Sequence, residues 1–152
     1  MAKTMTEHEF SDCLQKNKIV NFAAAKKLVD RELKAAQDDL KAASKSLSDA
    51  REKWATVQAY YAMFHTARAL LYSKGYREKS HYCLIVAMKA LFVANRVLDV
   101  SLVEAFQMAK TLRENADYDN EYSKKSAVSL VEKAKKFLNA GKKILRGEVK
   151  CK

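Results

Sequence analysis

The chain has 152 residues, a formal net charge of +11, three glycines and no proline. This length fits one domain with a sizeable core. The sequence contains no run of 18 uncharged apolar residues and no apolar signal core near its start, so we expect a cytoplasmic protein without a membrane span. Cys13, Cys83 and Cys151 are odd in number and far apart, which argues against a disulfide framework or a zinc site.

The positive charge is concentrated towards the C-terminus. From Lys124 onward the chain carries ten Lys or Arg residues and two acids, whereas the first 123 residues carry 19 bases and 16 acids. A basic segment of this kind, here 124–152, attracts nucleic acid or an acidic partner protein. The alternative is a solvated lysine face that keeps the protein soluble, and the sequence leaves both open.

Apolar residues recur at three- and four-residue steps along most of the chain, a spacing typical of amphipathic helices. We predict a short helix at 7–16, opened by a Thr6–Glu9 capping box, and longer helices near 22–47, 50–74, 81–96, 102–117 and 123–145. The pattern predicts an all-α fold, an antiparallel up-and-down helical bundle of five to six helices. It forms a single domain over 1–152, with its core at about 20–145.

Local signals set the predicted helix ends. The serine-rich stretch 44–49 divides what would otherwise be a helix ~80 Å long, too long for a compact domain. Gly75 is a good left-handed C-cap, Ser80 caps the next helix, and a Ser101–Glu104 capping box opens the fifth. Gly141 is expected to weaken the last helix by roughly 1 kcal/mol relative to alanine.

One line of polar side chains runs beside the apolar stripe of the predicted 50–74 helix. The candidates are Tyr61, His65, Arg68 and Tyr72, at i, i+4, i+7 and i+11, followed after a basic loop by Lys79 and His81. Histidine moves protons near neutral pH, whereas arginine and lysine bind phosphate. These side chains therefore suit a site that binds an anion such as phosphate. The alternative is that they only hydrogen-bond neighbouring helices.

A second polar cluster is the stretch RENADY, from Arg113 to Tyr118. Arg113 and Asp117 are spaced i, i+4 and can form a helix-end ion pair worth about 0.5 kcal/mol. Alternatively, Asp117 fixes the guanidinium so that it faces a phosphodiester. We expect Arg113, Asp117 and Tyr118 to line a polar cleft, with His81 and Arg68 on its opposite wall. Because Tyr118 lies ~140° from Arg113 on an ideal helix, this arrangement requires the helix to unwind there.

Other site chemistries lack sequence support. No Glu-x-x-His motif lies on a long helix, so a di-iron site is not indicated. Three isolated glycines cannot form a phosphate-binding loop, and no hydrolase motif is present. We therefore expect neither a metal nor a cofactor.

Three sequence blocks, in their order along the chain, resemble a HEPN domain (higher eukaryotes and prokaryotes nucleotide-binding) of the small prokaryotic branch. The matching residues are Tyr61, Phe64, His65, Ala67, Arg68, Ala69, Leu70 and Leu71, then Gly75, Lys79, Ser80 and His81, then Arg113, Ala116, Asp117 and Tyr118. The resemblance implies a helical bundle that commonly dimerises. It also implies a gene that often accompanies a minimal nucleotidyltransferase, in a toxin–antitoxin arrangement.

Many HEPN proteins are metal-independent ribonucleases with an arginine followed, after four to six residues, by a histidine. Here Arg113 is followed after four residues by Tyr118, and only three residues separate Arg77 from His81. The leading interpretation is a nucleotide- or RNA-binding partner of a nucleotidyltransferase that uses Arg113, Arg68 and His81. One alternative is an active endoribonuclease in which Arg113 stabilises charge and His81 or Tyr118 handles the proton. The other is a non-catalytic homodimeric scaffold.

A homodimer is also favoured by the number of apolar side chains. Positions such as Trp54, Val57, Phe92 and Phe106 together exceed what one small bundle is expected to bury. A symmetric pair would cover the remainder.

Overall fold

The computed structural model describes residues 4–149, and in that range the chain is mostly helical. The helices are α1 Met5–Gln15, α2 Val29–Ser48, α3 Glu52–Ser73, α4 His81–Met88, α5 Val100–Tyr118 and α6 Lys124–Leu145. A 3-10 helix, Ala25–Leu28, precedes α2, and a π-helical segment, Lys89–Val93, extends α4. The predicted all-α class is confirmed, and the basic residues 150–152 and Cys151 lie outside the described range.

A short pair of strands was not predicted. Strands β1 Ile19–Asn21 and β2 Tyr76–Glu78 pair antiparallel, with Ile19 opposite Glu78. The predicted start of a helix at 22 is therefore wrong, because this part of the chain pairs with the segment that follows Gly75. The N–H of Phe22 donates to the carbonyl of Gly75 at 2.9 Å, and α2 begins only at Val29.

At two helix starts, the N-cap residue lies two positions earlier than predicted. Thr4, not Thr6, forms the capping box of α1: its hydroxyl accepts from the N–H of Glu7 at 3.1 Å. Likewise Asp99, not Ser101, caps α5, because its carboxylate accepts the N–H of Ser101 at 2.8 Å. An earlier acceptor satisfies the free N–H groups of a longer helix.

The predicted caps at Gly75 and Ser80 agree with the structure, whereas the helix predicted at 81–96 is α-helical only over His81–Met88. Gly75 has a φ of +83°, which glycine adopts without steric cost, and the Ser80 hydroxyl accepts from the N–H of Cys83. The long helical stretch breaks after Ser48, close to the serine-rich segment.

Helix α3 is the central element and packs against α2, α4, α5 and α6. Its buried side chains include Met63, Leu70 and Leu71, all fully enclosed. Gly141 lies buried in α6, which continues to Leu145, and a Cβ at this position would lie 2.8 Å from Cγ2 of Thr66. The glycine therefore allows α6 to approach α3 closely, a role that helix propensity alone does not reveal.

The single bundle buries three of the four apolar side chains from which a dimer is predicted. Val57, Phe92 and Phe106 are 8%, 1% and 0% exposed within one chain, whereas Trp54 is 48% exposed. Three of these four side chains are thus buried within one chain and do not argue for a homodimer, which stays a prediction. Within residues 4–149, none of the helices is both long enough and apolar enough to cross a membrane.

Cys13 of α1 and Cys83 of α4 form a disulfide, with their Cα atoms 5.9 Å apart. The expectation that the cysteines stay unpaired is therefore wrong. The two residues are 70 positions apart, so the sequence spacing conceals their contact. The β1–β2 pair brings the N-terminal segment beside α4, and the hydroxyl of Tyr82 donates to Glu9 of α1 at 2.7 Å.

Candidate phosphate-binding site

The guanidinium of Arg113 is held by side chains from α3 and α5. Its Nη2 donates to the hydroxyl of Tyr61 at 3.0 Å and lies 3.4 Å from Oδ2 of Asp117. Its Nη1 donates to the hydroxyl of Tyr118 at 3.5 Å. The three residues of the RENADY stretch thus converge as predicted. Helix α5 continues through Tyr118, so the long side chains meet without the unwinding that we expected.

Aromatic rings surround the same guanidinium. Its Cζ lies 5.8 Å, 5.5 Å and 5.4 Å from the ring centroids of Tyr60, Tyr61 and Tyr118. Cation–π contacts of this kind fix the plane of an arginine. The side chain remains 20% exposed, while its buried Nε has no hydrogen-bond partner among the described residues. The arrangement offers a charged, oriented fork at the surface.

His81 lies behind this fork. Its ring stacks on Tyr60 at 5.9 Å and tilts against Phe106 at 5.1 Å. Burial, aided by the nearby Lys110, lowers the pKa of His81 to about 4, so the ring is neutral at pH 7. His81 also lines a cleft of about 440 Å³ between α1, α4 and α5. The ring of Tyr60 contacts both His81 and Arg113, and Arg113 is not among the residues that line the cleft beside His81.

Arg68 and His65 belong to a separate ionic network, which joins α3 to α2 and β2. The Nε of Arg68 donates to Oε1 of Glu78 at 3.2 Å, and its Nη1 lies 3.8 Å from Oε1 of Glu32. Nδ1 of His65 shares a hydrogen bond of 2.6 Å with Oε2 of Glu32. Nε2 of His65 lies 3.7 Å from Asp39, whose pKa is raised by burial. The predicted placement of Arg68 opposite Arg113 is not what we observe, because buried carboxylates hold Arg68 elsewhere.

The ring of Phe64 connects the two groups along α3. Its centroid lies 6.5 Å from that of Tyr61 and 5.6 Å from that of His65, and 4.8 Å from Cζ of Arg68. The predicted line of side chains on α3 therefore exists, but its two ends serve different partners. Lys79 is exposed in the loop before α4, where its N–H donates to the carbonyl of Lys18 at 2.8 Å.

The profile of the HEPN domain matches residues 29–145, which is more than half of the chain. The chain belongs to the HEPN family. Two similar proteins come from Methanocaldococcus jannaschii and are named putative toxins MJ0142 and MJ0605. The first is 31% identical over 131 residues, which cover 81% of this chain and 89% of that protein. The second is 29% identical over 115 residues, covering 75% and 86%.

The matched region of this HEPN protein contains Arg113, Arg68 and His81, whereas α1 and β1 lie outside it. The N-terminal segment nevertheless supplies Glu9 and Thr6 to the cleft beside His81.

Sequence reasoning missed three side chains that hold the predicted residues in place: Tyr60 beside Arg113, and Glu32 and Glu78 in the separate network of Arg68. Tyr60 lies among the buried side chains of α3, where burial raises its pKa to about 12 and its ring contacts both Arg113 and His81. Glu32 offered a signal, because it lies four residues before the buried Ala36 on the inward face of α2. Glu78 offered none, since its burial follows from the strand pair.

Proposed function

We propose that this HEPN protein binds the phosphate of a nucleotide or of RNA at Arg113. We further propose that it acts as the toxin-like partner of a minimal nucleotidyltransferase in the cytoplasm. The names of the two Methanocaldococcus jannaschii relatives support a toxin-like function. The geometry around Arg113 supports phosphate as the group that is bound.

The observation that carries the proposal is the oriented, partly exposed guanidinium of Arg113. A fork whose plane is fixed by Tyr61 and Asp117 loses little conformational entropy when it binds two phosphate oxygens. The hydroxyl of Tyr118, a residue that is 71% exposed, lies beside it and can donate to a third oxygen. The carboxylate of Asp117 offsets part of the positive charge of Arg113. The charge that remains suits a single phosphate group.

Binding is favoured over cleavage within one chain. A general base must reach the proton that it removes, but Nε2 of His81 is buried and the ring of Tyr60 lies against His81. A pKa of about 12 keeps the hydroxyl of Tyr60 protonated at neutral pH. Cleavage by a metal-independent ribonuclease mechanism would therefore need a base other than His81 or Tyr60 of the same chain. A symmetric homodimer in the absence of a partner remains part of the proposal.

The test compares Arg113→Ala with Arg31→Ala, which removes an exposed arginine from α2. Binding of a fluorescein-labelled single-stranded RNA and of labelled ATP is measured by fluorescence anisotropy. We expect Arg113→Ala to lose at least about tenfold in affinity for one of these ligands, the usual scale for a charge-assisted contact. Arg31→Ala should bind like the wild type, and both variants should keep their helicity by circular dichroism.

A lower melting temperature with unchanged ligand binding would make Arg113 a structural ion-pair residue and refute the phosphate site. Incubating the labelled RNA with the protein in EDTA separates binding from cleavage. Light scattering of the purified protein at micromolar concentration tests the homodimer, which a monomeric mass would contradict. Co-purification with a nucleotidyltransferase encoded beside the gene tests the partner.

A further inference from the structure

A groove of about 320 Å³ runs between α5 and α6, on a different face of α5 from Arg113. Ala105, Met108 and Leu112 of α5 form one wall, at i, i+3 and i+7, and Leu130 of α6 lies opposite. Arg113, by contrast, contacts Tyr61 of α3. The groove is therefore separate from the proposed phosphate site, and the inference does not depend on it.

The floor of the groove is aliphatic, and one side chain is unusually exposed. Ala105 and Leu130 are buried, whereas Met108 is 58% exposed although it is large and apolar. Methionine adapts its shape readily to an incoming side chain and is frequent at protein-binding surfaces. The groove thus has a soft apolar centre that the single chain leaves in contact with solvent.

Lysines flank this apolar centre. Lys125 and Lys133 of α6 line the groove, ~12 Å apart along the helix axis. Helix α6 carries seven lysines and one glutamate, Glu132. Within the described range 4–149, the ion pairs involve none of these seven lysines. The rim therefore holds positive charge that the chain itself does not neutralise.

We propose that this groove binds an acidic amphipathic helix of a partner protein. Leucine-like side chains of the partner would contact Met108, and carboxylates on their flanks would meet Lys125 and Lys133. This is the helix-in-groove mode, with apolar anchors at i, i+3, i+4 and i+7. Charge complementarity selects an acidic partner, because the groove lining contains two lysines and no acid.

The lining favours protein over nucleic acid. Single-stranded RNA is bound by aromatic side chains on which its bases stack, and the lining of this groove contains none. An aliphatic floor with an exposed methionine instead matches the apolar face of a helix.

The probe is a fluorescein-labelled peptide of about 15 residues, long enough to form a helix on binding. Leucines lie on one face and glutamates flank them. A second peptide carries lysine in place of glutamate, and a third carries serine in place of leucine. Binding is measured by anisotropy to the wild type and to two groove variants, Met108→Asp and the double variant Lys125→Glu/Lys133→Glu. The matched control is Lys27→Glu/Lys143→Glu, which makes the same charge change at exposed positions that do not line the groove.

We expect the acidic amphipathic peptide to bind the wild type and both other peptides to bind at least about tenfold more weakly. Both groove variants should lose about tenfold or more, and the control should stay within about twofold, because distant surface charges are screened. The lysine peptide should recover binding to Lys125→Glu/Lys133→Glu. Circular dichroism checks that each variant is folded.

Three results would overturn the proposal. The first is that the acidic peptide does not bind, or that the groove and control variants lose equal affinity. Equal losses would show that binding depends only on net charge. The second is a labelled single-stranded RNA that binds in place of the peptide and depends on Lys125 and Lys133. The third is a homodimer that Met108→Asp dissociates, since a second copy would then occupy the groove.

Discussion

Arg68 and Glu78 form a two-point ion pair that fastens α3 to β2. The Nε of Arg68 donates to Oε1 of Glu78 at 3.2 Å, and Nη2 lies 3.2 Å from Oε2. The Glu78 side chain is only 6% exposed, so its charge depends on this partner. Breaking a pair of this kind is costly, because it leaves a buried charge without its partner.

Glu78→Gln should therefore destabilise the protein by about 2–4 kcal/mol, because it leaves the guanidinium of Arg68 with the more distant Glu32. Urea denaturation followed by circular dichroism measures the change. Asp38→Asn is the matched control, since Asp38 pairs with Lys34 while both side chains are largely exposed. An equal, small effect of both substitutions would show that the pair contributes nothing specific.

Gly141→Ala should destabilise the protein although alanine favours helix more than glycine does. The new Cβ would lie 2.8 Å from Cγ2 of Thr66, and overpacking of this kind costs about 1–3 kcal/mol. The second variant, Thr66→Ser, removes that methyl group and keeps the hydroxyl, which donates to the carbonyl of Ala62. We expect the double variant to be more stable than Gly141→Ala alone in thermal melts. If the two substitutions instead lower the melting temperature additively, the contact between residue 141 and Thr66 is not the source of the strain.

His81 should make the protein less stable in acid. Its folded pKa of about 4 lies below the unfolded value of 6.5, so between these pH values the unfolded chain binds a proton that the folded chain excludes. Stability is therefore lost as the pH falls from about 6.5 to 4. His81→Phe keeps an aromatic ring against Tyr60 and Phe106 and removes this titration. Relative to wild type, it should gain about 1–2 kcal/mol between pH 7 and pH 5.

The measurement is urea denaturation of both proteins at the two pH values. Parallel pH profiles of wild type and His81→Phe would contradict the assignment, because every other titrating group is common to both.

The disulfide between Cys13 and Cys83 should contribute about 2–4 kcal/mol, since it closes a loop across 70 positions of the chain. Cys13→Ala/Cys83→Ala should lose that amount, and a thiol reductant should lower the melting temperature of the wild type but not of the double variant. Cys151→Ala serves as the control. If the reductant leaves the melting temperature of the wild type unchanged, the disulfide does not stabilise the fold.

RNA affinity should fall as the salt concentration rises, because Arg113 and the lysines of α6 that do not line the groove release counterions from the phosphates that they contact. With two to three such contacts, we expect a loss of roughly tenfold between 50 and 200 mM salt. Anisotropy titrations at four salt concentrations give the slope. A flat response would assign the lysines of α6 to solubility.

The sequence by itself determined the helices and much of the family assignment. Apolar periodicity, the Gly75 cap and the break after Ser48 depend on residues within a few positions of each other, so they can be read without knowing the fold. The same holds for the contact of Arg113 with Asp117, one helical turn away. The HEPN resemblance rests on motifs of this local kind, and the family match confirms it.

Only the tertiary structure decided which partners the polar side chains take. Tyr61 reaches Arg113 across 52 positions, and Cys13 reaches Cys83 across 70. The sequence predicts Arg68 on the opposite wall of a cleft from Arg113, yet the β1–β2 pair places Glu78 where it binds the guanidinium of Arg68. These contacts follow from how helices pack and strands pair at long range, and a local pattern carries no information about them. The physical reason is that a buried charge takes whichever opposite charge the fold encloses with it.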